Sequence, residues 1–369
     1  MHRSIVDLMG ARKRACVLAV ALALALGRPA APACAQPAPI PIRVVVVTTF
    51  ELGNDTGDAP GEFQAWVERF PLRATLAFPQ GYRPLRYDAA DGVLGMVTGE
   101  GAERGAASVM ALGMDPRFDL SHAYWLVAGI AGVDPEQASV GSAAWASWVV
   151  NADLAYEIDP REMPPTWRTG IVPLGRDGPY ARPAPSATSL HGQQAYSLNP
   201  GLVRWAYALT AHTPLVDDPG VRRVRLLYPE PRARRAPFVL RGDTLSGDRY
   251  FIGAVMTAWA ERWTRYWTGG RGTFVTTAEE DAGIMQSLTF LAGAHRVDRA
   301  RVLVLRTASD YSVPPPGESA ADLLASENHP GGYSAYLESL EAAYRVGSVV
   351  VRALAGHWAL YAAHVPEAP

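Results

Sequence analysis

The chain has 369 residues, 49% of them hydrophobic and 19% charged, and 34 basic residues stand against 36 acidic ones for a net charge of −2. That balance builds a full apolar core and offers no basic excess to a nucleic acid. Both cysteines, Cys16 and Cys34, and the single lysine, Lys13, fall within the first 35 residues, so the remainder holds no disulfide, thiolate nucleophile or cysteine metal site, and no lysine for Schiff-base or Walker-type phosphate chemistry.

Read from the N-terminus, Arg12, Lys13 and Arg14 precede an apolar run from Ala15 to Leu26, and Ala33-Cys34-Ala35 supplies a small-residue cleavage site. The pattern predicts a signal peptide over 1–35. The run is too short to cross a hydrocarbon core of ~30 Å. Cleavage would release 334 residues into the periplasm or the extracellular space. Residues 36–41 are expected to be a flexible leader, and 42–360 one large α/β domain. No later run of about 18 apolar residues predicts a transmembrane helix.

Arg43 to Phe50 is an apolar, β-branched run that fits a strand buried on both faces. Gly61 to Phe70 spaces Phe63, Trp66, Val67 and Phe70 as a helix does. Strands are expected over 72–78 and 93–98, a small-residue helix over 101–113, a buried strand over 124–130 and another over 143–151. Residues 160–196 are rich in Pro, Gly and Ser and read as long loops. Asn199-Pro200 caps a helix running to about Thr210. The basic stretch from Arg222 to Arg235 reads as a solvated surface connection. A short strand over 238–241, helices over 253–267 and 279–291, a strong buried strand over 301–309 and a long C-terminal helix over 333–354 complete the chain. Strands alternating with helices predict a single α/β domain with a central, mainly parallel or mixed sheet flanked by helices.

Ligands in such sheets bind beyond the carboxyl ends of the strands, which directs attention to particular residues. Glu62 follows the first strand and opens a helix, where a carboxylate is also simply favoured by the helix dipole. Thr98-Gly99-Glu100-Gly101 is a turn whose glycines, Gly99 and Gly101, allow the backbone to approach a ligand. Glu279-Glu280-Asp281 places three acids at one helix start, more than capping needs; carboxylates packed there suit the vicinal hydroxyls of a sugar. Ser309-Asp310 ends the last core strand, where an acid can donate a proton to a leaving group. The eight histidines are scattered with no H-E-x-x-H, so neither a metal nor a cofactor is expected.

These motifs, in this order, resemble the nucleoside phosphorylase and nucleosidase superfamily. More closely, Gly129-Ile130-Ala131-Gly132-Val133-Asp134-Pro135, the acidic segment from Asp153 to Glu162, and Leu303-x-Leu305-Arg306-Thr307-Ala308-Ser309 resemble the purine nucleoside permease family over nearly all of 42–355. The resemblance implies a nucleoside phosphorylase-like fold and purine nucleosides as ligands. It implies that Glu280, with Asp281 beside it, holds the ribose hydroxyls, that Asp310, with Ser309, protonates the purine at N7, and that Glu62 positions or activates water. Tyr250 or Phe251 is implied to stack on the base, and Ile130 to stand in the loop where phosphorylases often carry Ser or Thr. Three readings follow: nucleoside hydrolysis, nucleoside capture for uptake with an inner-membrane transport partner, and phosphorolysis. The superfamily commonly assembles as dimers or larger rings, so a homo-oligomer fits.

Overall fold

A computed structural model of the chain describes residues 37–181, 188–189, 192–329 and 332–368. The predicted signal peptide lies outside these residues. From Pro39 onward the chain forms one unit. The expected leader is partly structured, because Ile40–Pro41 is a short strand, β1, paired in parallel with Phe118–Asp119, β6.

The main sheet is built on strands with no polar face. β2 (Val44–Thr48) is buried at all five residues and lies between β5 (Val93–Val97) and β7 (Tyr124–Val133), parallel to both. β4 (Leu85–Asp88) and β3 (Ala74–Leu76) extend that side with antiparallel pairing. β18 (Val302–Tyr311), ten buried residues, runs parallel to β7. On its other edge it meets β8 (Ala143–Trp145), which in turn pairs with β15 (Val239–Arg241). β17 (Phe274–Ala278) joins the far end of β7 antiparallel, followed outward by β16 (Asp243–Ser246), β9 (Trp148–Asn151) and β14 (Ala195–Ser197). Among the described residues this makes one mixed sheet of twelve strands, as the alternating pattern predicts.

Helices cover the sheet: α1 (Gln64–Arg69), α2 (Ala102–Gly113), α3 (Pro200–Thr210), α4 (Pro219–Arg225), α5 (Ala254–Trp267), α6 (Asp281–Gly293), α7 (Ala320–Glu327), α8 (Tyr336–Gly356) and α9 (Trp358–Tyr361). α2 and α6 pack closely at their starts, because a Cβ on Gly283 would overlap the Ala102 carbonyl. Ser287 adds a 2.8 Å hydrogen bond to the Ala106 carbonyl. The long helix α8 buries Val346, Val350, Val351 and Leu354 in the main apolar core, and its Tyr344 meets Trp66 of α1 edge to face at 5.3 Å. Asn199 caps α3 as expected, accepting from Gly201 N and Leu202 N. No described helix is long and apolar enough to cross a membrane.

Four expectations need correction. The strand expected over 143–151 breaks at Ala146-Ser147, because the buried Asp243 carboxylate accepts from Ser147 N and Trp148 N at 3.0 and 2.8 Å. The two halves, β8 and β9, then serve different neighbours. The loop region 160–196 contributes four strands: Ile171–Pro173 (β11), paired with Ala155–Glu157 (β10), a hairpin of Thr188–Ser189 (β12) and Gly192–Gln193 (β13), and β14 at the edge of the main sheet. The basic stretch after Asp218 starts as α4, and its Arg225 is buried, paired with Asp217 and donating to the Arg235 carbonyl. The domain also runs past 360: Arg204 donates to the Ala368 carbonyl, and Ala368 N to that of Gly201.

Candidate functional site

A cleft of about 800 Å³ opens at the carboxyl ends of β2, β5, β17 and β18. It forms where the sheet parts. β2 pairs with β7 as far as Val127, and β17 takes over at Gly132. Between them the Ile130 backbone bonds to side chains: its N–H donates to Glu62 Oε1 at 2.7 Å, and its carbonyl accepts from Arg306 Nη1 at 3.0 Å. Gly129 is required beside it, since a Cβ there would overlap both Glu62 Oε1 and Arg306 Nη1.

Arg306 organises the floor. It is 1% exposed and projects from β18 into four carboxylate oxygens. Its Nη2 lies 2.8 Å from Asp281 Oδ1 and 3.0 Å from Glu280 Oε2, its Nε 3.0 Å from Asp281 Oδ2, and its Nη1 4.0 Å from Glu62 Oε1. The planar fork of arginine suits such multiple ion pairing. Glu62 Oε2 also accepts from Thr49 N at 2.6 Å and Thr49 Oγ1 at 2.8 Å. Burial, with Glu280 adding repulsion, outweighs the pull of Arg306 and pushes the Glu62 carboxyl up to about 7, a value suited to a base at neutral pH. Glu51, just past β2, accepts from Gly61 N, Phe63 N and Gln64 N. This remote cap fixes the start of α1 and with it Glu62; it also explains why the helix begins at Gln64 and not at Gly61.

Asp310 also lines the cleft. A β-bulge between Ala308 and Asp310 interrupts the pairing of β18 with β7, so two consecutive residues, Ser309 and Asp310, both line the cleft. Asp310 Oδ1 lies 2.6 Å from Ser309 Oγ, and its Oδ2 meets the Tyr250 hydroxyl. Ser309 Oγ also lies 3.1 Å from the Ala131 carbonyl. A serine has one proton: when that proton serves Ala131, the contact with Asp310 is satisfied by a neutral Asp310 donating. Burial raises the Asp310 pKa, against the lowering effect of Ser309 and Tyr250.

The walls are aromatic and acidic. Phe50, Tyr336, Tyr333 and Tyr250 form a row with successive ring centroids 6.4 to 6.5 Å apart. Among the described residues, eight carboxylic side chains line the cleft against two guanidiniums, Arg104 and Arg306. Arg306 is committed to its carboxylates, and Arg104 Nη1 donates to the Glu100 carbonyl at 2.9 Å. Glu279 is pushed to about 8 by burial and by Glu280. Among the described residues no cluster of His, Cys, Asp and Glu has the arrangement of a metal site.

The geometry brings together Glu62, Glu280, Asp310, Ser309, Gly101, Ile130 and Tyr250. It does not bring Asp281, Gly99 or Phe251 to the cleft. Asp281 is fully buried behind Glu280 as the counter-ion of Arg306. Gly99, with φ +86°, turns the chain against the side chains of Arg104 and Tyr82, while Gly101 N donates to Glu280 Oε1 at 3.3 Å. Phe251 packs into a separate core against Trp259 and Phe274. Sequence reading passed over Arg306 as a site residue, although a charge inside a run that is otherwise buried strand is its signal. Tyr333 and Tyr336 carried no such mark, because aromatic residues at a helix start usually pack.

Residues 41–366 match the family described as purine nucleoside permease. The chain belongs to the purine nucleoside permease family. A purine nucleoside permease of Candida albicans is 33% identical over 267 residues, 71% of this chain and 64% of that protein, so the chain spans under two thirds of that relative. Among solved structures, the fold is shared with a 5′-methylthioadenosine/S-adenosylhomocysteine nucleosidase of Neisseria meningitidis (TM-score 0.50, 14% identity, 84% of this chain and 99% of that one). It is likewise shared with a futalosine hydrolase of Helicobacter pylori (TM-score 0.52, 12% identity, 85% and 98%). The permease family member described here therefore has the nucleoside phosphorylase-like fold expected from its motifs.

Proposed function

We propose that this chain, exported by its N-terminal segment, binds a purine nucleoside in the cleft and hydrolyses its N-glycosidic bond. The observation that carries the reading is that one cleft is lined by a buried acid, Asp310, by a separate carboxylate held near neutrality, Glu62, and by Glu280. Asp310 gives its proton to N7 as the C1′–N9 bond breaks. Glu62 takes a proton from water, whose oxygen forms the new bond to C1′. Glu280 Oε1, bonded to the Gly101 amide, holds the ribose hydroxyls. The products are the free purine and the free sugar, one water is consumed, and the proton taken by Glu62 replaces the one lost by Asp310. General acid–base assistance of this kind contributes ~10²–10⁴-fold.

Electrostatics favour water over phosphate as the acceptor. An inorganic phosphate would enter a cleft rich in carboxyl groups whose two guanidiniums already have partners. The test is release of free base from inosine or adenosine, with and without phosphate, by wild type, Asp310→Asn and Glu280→Gln. Base release that is independent of phosphate and falls at least a hundredfold in Asp310→Asn supports hydrolysis; unchanged release in both variants refutes the assignment. A second reading, nucleoside capture for uptake, is favoured by the name carried by the family and by its Candida relative. It needs a membrane partner and is distinguished by tight binding without free base.

A further inference from the structure

We infer that Glu327, at the end of α7, is the residue that reads the hydrogen-bonding edge of the purine, by facing N1 and the substituent at C6. The inference rests on the proposed placement of N7 at Asp310. On a purine the C6 substituent and N1 follow N7 around the same rim of the base. A side chain standing beyond Asp310 at that end of the cleft therefore meets these two positions.

Glu327 lies close enough to Asp310 for that charge to act on it. It lines the main cleft and also an adjoining cavity of about 470 Å³, which shares Tyr250, Glu279 and Tyr333 with it. Its Oε1 is buried and has no hydrogen-bond partner among the described residues. A buried polar atom without a partner costs free energy, which a ligand can recover. Ser319 and Asp322 form a capping box at the start of α7, and at its end a Cβ on Gly332 would overlap the Glu327 carbonyl. The titratable groups that interact electrostatically with Glu327 are Asp310 from β18, Tyr250 from the segment before α5, Tyr333 beyond α7 and Tyr228 after α4; Glu279 and His329 line the same cleft.

A neutral carboxyl both donates and accepts. With a 6-oxopurine its O–H meets O6 and its carbonyl meets N1–H; with adenine its carbonyl accepts from the 6-amino group and its O–H donates to N1. An ionised carboxyl only accepts, so it retains N1–H of a 6-oxopurine and loses adenine N1. Burial, with the charge of Asp310, pushes Glu327 up to about 8. Preference for 6-oxopurines over adenine therefore increases as pH rises through about 8.

The probes are free bases, which no hydrolase can consume: hypoxanthine, 1-methylhypoxanthine and adenine, titrated into wild type, Glu327→Ala and Glu327→Gln at pH 6.5 and 9. The wild type should bind hypoxanthine about tenfold more tightly than 1-methylhypoxanthine, and Glu327→Ala should reduce that ratio to near one. The ratio of hypoxanthine to adenine affinity should rise with pH in wild type and stay flat in Glu327→Gln, which keeps a donor and an acceptor. Unchanged ratios in a folded Glu327→Ala protein overturn the inference and leave the nucleoside reading intact. Failure of wild type to bind any purine base or nucleoside overturns both.

Discussion

Arg306→Ala tests the floor of the cleft most directly. The substitution removes a guanidinium that is 1% exposed and leaves Asp281, Glu280 and Glu62, all buried, without their shared cation. Breaking a buried pair by removing one partner costs about 3–5 kcal/mol, a large part of the stability of an ordinary domain. The loss must depend on pH. Without Arg306, Glu62 and Glu280 lose the interaction that lowers their pKa values, and burial with neighbouring carboxylates holds them above the unfolded value. A carboxyl whose folded pKa is raised is neutral and tolerated near its unfolded pKa, and destabilises progressively as pH climbs toward the folded value. The variant should therefore lose several kcal/mol at pH 8 and markedly less at pH 5. Urea unfolding of wild type and variant at both pH values measures this. A loss below about 1 kcal/mol at pH 8, or one that does not change with pH, would show that the ion cluster is not what holds the floor.

Two further outcomes concern the chemistry. If Glu62 acts ionised, nucleoside cleavage should rise with pH through about 7, its raised value. Glu62→Gln should lose ~10²–10⁴-fold together with that rising limb; steady-state rates between pH 5 and 9 decide. Tyr250→Phe removes the hydroxyl that bonds Asp310 Oδ2 and lowers its pKa. The neutral acid should then persist to higher pH, so the falling limb of the profile should move upward; a downward shift would contradict the roles given to Tyr250 and Asp310.

The core of the fold was legible because its strands are buried on both faces. β2 and β18 are continuous apolar runs that no amphipathic helix would produce. What escaped was structure decided by remote partners. β8 and β9 read as one strand until the Asp243 carboxylate, 95 to 96 residues away, claims the amides between them. α1 starts late because Glu51 caps it from across a loop. At the site, Glu62, Glu280 and Asp310 were readable from their place after strands. Asp281 was not separable from Glu280, since adjacent acids at a helix start differ only in which way the turn points them. Phe251 and Tyr250 posed the same problem: one residue enters a core and its neighbour enters the cleft.

The bulge in β18 gives this strand two separate jobs in one stretch of chain. From Val302 to Ala308 its register with β7 is regular, and the strand is part of the frame. One residue later the alternation is broken, and Ser309 and Asp310 turn to the same side. Asp310 pairs with Gly132, the residue after Ala131, so deleting Ser309 would restore an even ladder, keep Asp310 opposite Gly132 and remove the hydroxyl that bonds its carboxyl. The acid is thus part of the framework ladder itself, and the one unpaired residue, Ser309, sets a hydroxyl beside it: a change one residue long would alter the acid's partner and leave its place in the sheet.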